Sequence, residues 1–165
     1  MLSIPTLGHQ RLRQGRRSLP GQLYLLTTVT WQRKRYFLDT DLARLAARLL
    51  SSEEHWHPSR CLAWVLMPDH WHGLVELGTD QSLGTTMQRI KGISARHVGL
   101  QHRHAQPLWT KGFHDHALRN DESVRDVTKY IIANPLRAGL VANVMDYPYW
   151  DACFLHTAAD LQALG

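Results

Sequence analysis

Apolar residues along this chain change their period several times, and each change marks an element. Residues 22–31 (QLYLLTTVTW) follow Pro20-Gly21 and are crowded with Tyr, Val, Thr and Trp, the make-up of a strand. Asp39 or Thr40 then caps a helix whose Leu42, Leu45, Ala46, Leu49 and Leu50 recur at helical spacing, and which has faded by Pro58. Residues 61–66 (CLAWVL) form a short apolar run suited to a central strand. Met67-Pro68-Asp69 is turn chemistry, and residues 70–77 (HWHGLVEL) resume an extended pattern, so the two runs predict a hairpin. From Gln81 to about Gly99 the pattern is helical, with Leu83, Met87 and Ile90 on one side and Arg89 and Lys91 outside it; Gly84 and Gly92 weaken it. Residues 101–116 read as loop anchored by Trp109 and Phe113, and residues 117–119 as a short strand. Asp121 or Ser123 opens a last helix that carries Val124, Val127 and Ile131 as its apolar stripe and stops before Pro135.

The order strand, helix, hairpin, helix, short strand, helix predicts an α+β fold, an antiparallel sheet with flanking helices as in ferredoxin-like architectures. The 165 residues suit one domain, expected over residues 21–155 between a basic N-terminal arm (1–20) and a C-terminal tail (156–165). An apolar fraction of 44% with 20% charged residues excludes a disordered or collagen-like chain. The net charge of +5 is unevenly placed: residues 1–38 hold seven basic residues and no acid, whereas the remainder is net −2. A basic stretch on a near-neutral body is an electrostatic footprint of nucleic-acid binding, the alternative being a solvated tail. No run approaches 18 apolar residues, no secretory signal opens the chain, and Cys61 and Cys153 form no CxxC; a cytoplasmic protein without membrane or disulfide framework is expected.

Eleven histidines raise the question of metal chemistry, and His-x-His occurs four times: His55/His57, His70/His72, His102/His104 and His114/His116. Spacing alone therefore selects nothing. On a strand, residues i and i+2 point to one face, so two imidazoles there can share an ion. His70 and His72 open the second strand of the hairpin and meet that condition. His55/His57 lies at a fading helix end and His102/His104 in polar loop, as surface histidines do. His114/His116 adjoins the short strand and is assigned a structural or substrate-contact role before ligation.

Lys129-Tyr130-Ile131-Ile132-Ala133-Asn134-Pro135 is the second constellation. Tyr130 and Asn134 are i and i+4, hence neighbours on one helix face. Tyrosine at the edge of an apolar stripe is ordinarily a packing residue, yet it can also act as a nucleophile. The Asn134 amide oxygen could complete a mixed N/O site for magnesium or manganese.

Taken in order, the segments LPGQLYLLTTVTWQRKRYF (19–37), MPDHWHGLVEL (67–77), IKG (90–92), WTKGFHDHALR (109–119) and YIIANPLRAGLV (130–141) resemble the REP-associated tyrosine transposases, a group of single-tyrosine HUH transposases. The resemblance covers roughly residues 19–154. It implies a ferredoxin-like HUH endonuclease fold, His70 and His72 as metal ligands joined by Asn134, a divalent cofactor (Mg2+ or Mn2+), and Tyr130 as nucleophile. The implied reaction is cleavage and strand transfer on single-stranded DNA at a REP-type palindromic hairpin through a 5′-phosphotyrosine. Arg13, Arg16, Arg17, Arg33, Arg35, Lys91, Arg119 and Arg137 are the candidate DNA contacts, with His114 and His116 as further substrate contacts. A nucleoid-associated monomer is expected rather than a helix-exchanged dimer. Two other readings stand beside this one: a relative that binds palindromic DNA without cutting it, and a structural zinc protein using histidines with Cys61 or Cys153.

Overall fold

The computed structural model describes residues 18–103, 106–153 and 155. Arg13, Arg16, Arg17, His104 and the tail 156–165 lie outside the described residues. Five strands form one antiparallel sheet: β1 (Leu23–Val29), β2 (Arg60–Met67), β3 (His70–Glu76), β4 (His114–Ala117) and β5 (Trp150–Ala152), in the order β4-β1-β3-β2-β5. The helices are α1 (Thr40–Ser51), α2 (Glu53–Trp56), α3 (Leu83–His102), α4 (Val124–Ile132) and α5 (Asn134–Arg137). Among the described residues no helix is long and apolar enough to cross a membrane.

The alternation of β-strand side chains divides the core in two. Tyr24 and Leu26 of β1, Trp64 and Leu66 of β2, and Trp71 and Val75 of β3 pack against α1 and α3. The opposite face presents Ala63, Val65 and Met67 of β2 and Leu74 of β3 to Val127, Ile131 and Ile132 of α4. His70 and His72 share the parity of Leu74, so they lie on the face that carries α4. Trp71, between them, is fully buried on the other face, where it stacks on Trp56 at 5.7 Å between centroids.

Capping sets where the helices start. Asp39, the N-cap of α1, accepts from the amides of Asp41 and Leu42, and Ser123 accepts from Asp126 to open α4. α3 runs to His102, beyond the predicted end at Gly99, because Gly92 and Gly99 weaken propensity without stopping a helix already packed through Met87, Ile90 and Val98.

One predicted strand is displaced, and two short elements were not foreseen. The strand expected over residues 117–119 is instead His114–Ala117, displaced because its pairing is dictated by β1: Thr27 faces His114 and Leu25 faces His116. α4 stops at Ile132, before Pro135 as expected, but a short helix α5 follows from Asn134 with proline in its first turn, where a missing N–H costs nothing. β5 was not anticipated: it is three residues long and exists by pairing with Ala63–Val65 of β2, an edge extended by the Leu66 amide donating to the Tyr149 carbonyl at 2.9 Å.

Candidate active site

The site is built from the mouth of the β2–β3 hairpin. Met67 pairs with His70 across the tight turn, and Val65 pairs with His72 in the middle of the sheet. The two imidazoles stand edge to face, 4.7 Å apart between ring centroids. Each is oriented through its Nδ1. His70 Nδ1 donates to the Asp69 carboxylate at 2.6 Å, and His72 Nδ1 lies 2.7 Å from Thr27 Oγ1, which can accept its proton. Both arrangements leave Nε2 with its lone pair available, the usual preparation of a metal-ligating histidine by its outer partners.

Burial disfavours the charged form of both rings. Burial, then the charges of His70, Arg137 and Arg33, push the His72 pKa down to about 3. Burial also lowers His70, against the opposing pull of Asp69. Burial works to raise Asp69, yet its hydrogen bond to His70 and the charges of His70 and Arg33 hold the carboxyl below its ordinary value. Arg33 Nη1 is 3.4 Å from Asp69 Oδ2, so a chain of contacts runs from Arg33 through Asp69 to His70. Gln32 and Arg33 both take a left-handed backbone (φ 55° each), the turn that brings this arginine back over the hairpin. Asp69 and Thr27 were missed as site residues in the sequence reading. An aspartate directly before His70 was a usable signal, but Thr27 is revealed only by the β1–β3 register.

Tyr130 and Asn134 occupy the C-terminal turn of α4 and the start of α5, on the layer that covers the histidine face. Pro135 has no N–H to donate to the Ile131 carbonyl, and the Asn134 side chain supplies one, with Nδ2 2.9 Å from that oxygen and 3.3 Å from the Tyr130 carbonyl. Both bonds use Nδ2, and Oδ1 takes part in neither. Among the described residues no group of three or more His, Cys, Asp and Glu side chains gathers at metal-binding distance. Tyr130 is half-buried. Arg137 sits over its ring, and the same guanidinium is near enough for its charge to act on His72.

The remaining candidates fall into separate places. Arg33 and Arg35 are exposed in the segment that follows β1, at the histidine end of the sheet. The Lys91 ammonium donates to the Thr110 and Gly112 carbonyls and so holds the loop that leads into β4. Arg119 lies past the other end of β1, where Leu118 bonds to Leu23, about 20 Å along the strand from Val29. His114 is exposed and stands in one row with Thr27 and His72 on the same sheet face. His116 bonds to Glu122 at 2.9 Å. His102 is the last residue of α3 rather than part of a loop. The structural-zinc reading is not sustained by this geometry: Cys61 pairs with Val75, at the opposite end of the hairpin from His70, and Cys153 follows β5 beside Leu62.

The profile of the family described as "Transposase IS200 like" matches residues 21–134, from the start of β1 through Asn134. A REP-associated tyrosine transposase of Escherichia coli (strain K12) is 28% identical over 123 residues, covering 74% of this chain and 72% of that protein. A solved structure of a REP-associated tyrosine transposase bound to a REP hairpin superposes with a TM-score of 0.66 at 26% identity, covering 82% of this chain and 79% of the other. The five-stranded sheet, the oriented histidine pair and the tyrosine helix above it thus belong to an enzyme: the chain is a member of the IS200-like transposase family and is similar to REP-associated tyrosine transposases.

Proposed function

We propose that this protein cleaves and rejoins single-stranded DNA beside a palindromic, REP-type hairpin, with Tyr130 as the nucleophile. The observation that carries the reading is the pair of neutral histidines, each turned by an Nδ1 partner to leave Nε2 open, on the face covered by α4, which bears Tyr130, with Asn134 opening α5. Membership of a tyrosine transposase family and likeness to a structure bound to a REP hairpin support it.

His70 Nε2, His72 Nε2 and Asn134 Oδ1 would hold a divalent ion, Mg2+ or Mn2+, and the donor set suits a hard or borderline cation. Bound there, such an ion supplies electrostatic stabilisation of the charge that grows on a phosphate under attack. The chain's own residues do the rest. Tyr130 Oη forms the new O–P bond, its proton passing to solvent, while the bond to the 3′ oxygen breaks and that oxygen leaves as a hydroxyl. The phosphodiester energy is retained in the tyrosine–phosphate link, so a 3′-hydroxyl can reverse the step without a nucleotide cofactor. Arg33 and Arg35 place positive charge at this end of the sheet for the DNA backbone, with Arg13, Arg16 and Arg17 available from the preceding segment.

Incubation with a hairpin carrying a single-stranded flank and Mn2+ or Mg2+, followed by a denaturing gel, is expected to show a protein–DNA adduct. Tyr130→Phe should form none while still binding the hairpin, and His70→Ala with His72→Ala should bind without cutting. An adduct from the Tyr130→Phe protein would remove the assignment of the nucleophile. Hairpin binding without an adduct from the parent protein would favour the non-cleaving reading instead.

A further inference from the structure

Tyr130 sits at the margin of α4, half-buried, and a tyrosine so placed has freedom to swing away from the sheet. One neighbour restrains it at two points. The Arg137 guanidinium carbon lies 4.0 Å from the centroid of the Tyr130 ring, and Arg137 Nη2 donates to the Tyr130 backbone carbonyl at 2.8 Å. The seven-residue separation crosses the joint between α4 and α5, where Ala133 has ψ 0° and Pro135 breaks the hydrogen-bond ladder. Without that joint, position 137 would continue the helix beyond Tyr130; with it, α5 carries the arginine back over the ring.

We propose that Arg137 is a positioning residue that clamps the Tyr130 side chain in its attacking orientation; this rests on Tyr130 being the nucleophile. The planar guanidinium covers a ring with its face while donating along its edge, which a lysine ammonium cannot do together. A tyrosine oxygen displaced by about 1 Å from the line of attack costs on the order of 10²-fold in rate. Two plainer roles make different predictions. As a cap on the end of α4, Arg137 would matter for stability and be replaced adequately by lysine. As a phosphate contact, it would matter for DNA affinity and again tolerate lysine in part. A clamp acts on the rate at saturating DNA and does not tolerate lysine.

The test compares the parent with Arg137→Met and Arg137→Lys in single-turnover adduct formation on hairpin DNA, with the dissociation constant of the same DNA measured in chelator. Both variants are expected to lose about 10²-fold in rate at saturating DNA while the dissociation constant moves by less than about threefold, and millimolar guanidinium should restore part of the Arg137→Met rate where equal sodium does not. A rate within about threefold of the parent, or a loss recovered entirely by adding DNA, overturns the inference. The Tyr130 ring resonances of the DNA-free protein, identified by their disappearance in Tyr130→Phe, supply a reading that needs no activity. They are expected to move in Arg137→Met toward the shifts of a free tyrosine, and unmoved resonances overturn the clamp even if the parent never forms an adduct. If the parent forms no adduct but the resonances move, the clamp holds and the role of Tyr130 is what has failed.

Discussion

At the scale of single residues, the site depends on partners that do no chemistry themselves. In the proposed metal site, Asp69 and Thr27 take the Nδ1 positions of His70 and His72 and leave Nε2 for an ion. Asp69→Asn and Thr27→Val should therefore each weaken Mn2+ binding about 10–100-fold, measured by calorimetric titration of the ion into DNA-free protein; an unchanged affinity would show that neither partner orients its ring. The histidine pair was legible in the sequence because i, i+2 spacing on a strand leaves little choice of face. Thr27 was not, since a threonine in a β-branched run looks like any strand residue until the register sets it opposite His72. Lys91 and Arg119 show the converse. Both are basic residues in suggestive segments, yet one ammonium is engaged by two backbone carbonyls and the other residue stands at the far end of β1.

At the scale of elements, β3 does two jobs through one alternating strand. His70 and His72 face the α4 layer while Trp71 fills the core beneath, and Gly73 makes that possible. A Cβ on Gly73 would come within 2.1 Å of the Trp71 ring, so the absence of a side chain there is a packing requirement. Gly73→Ala is expected to destabilise the protein by about 1–3 kcal/mol, lowering Tm by roughly 2–10 °C for a domain of this size. A thermal melt indistinguishable from the parent's would mean that the Trp71 ring is not seated on this backbone. The α4–α5 joint is the second such element. Asn-Pro reads in sequence as a helix stop, and in the structure it is also a bend: the Asn134 side-chain amide donates to the Ile131 carbonyl, where Pro135 has no N–H to offer. Local sequence marks the break in the ladder, but which donor repairs it depends on side-chain geometry that a pattern does not contain.

Over the whole molecule, positive charge and reactive groups meet at one end of the sheet, where the hairpin mouth, the end of β1 and the α4–α5 joint converge. If the arginines before residue 18 contribute to the same DNA track, replacing Arg13, Arg16 and Arg17 with alanine should reduce the slope of log affinity against log salt by about 2, at roughly 0.7 per single-strand phosphate contact; an unchanged slope in a salt titration of hairpin binding would remove them from the track. What the sequence determined by itself was everything governed by local rules. Alternation and turn chemistry marked the hairpin, spacing put two histidines on one face of it, and capping residues opened the helices. The tertiary structure alone decided what depends on non-local pairing. β5 is too short to exist without β2, β4 took its limits from β1, and the partner of His72 comes from a strand more than forty residues away. The physical reason is that a side chain's periodicity is a property of its own segment, whereas its hydrogen-bond partner and its charge environment belong to whichever segment the fold lays beside it.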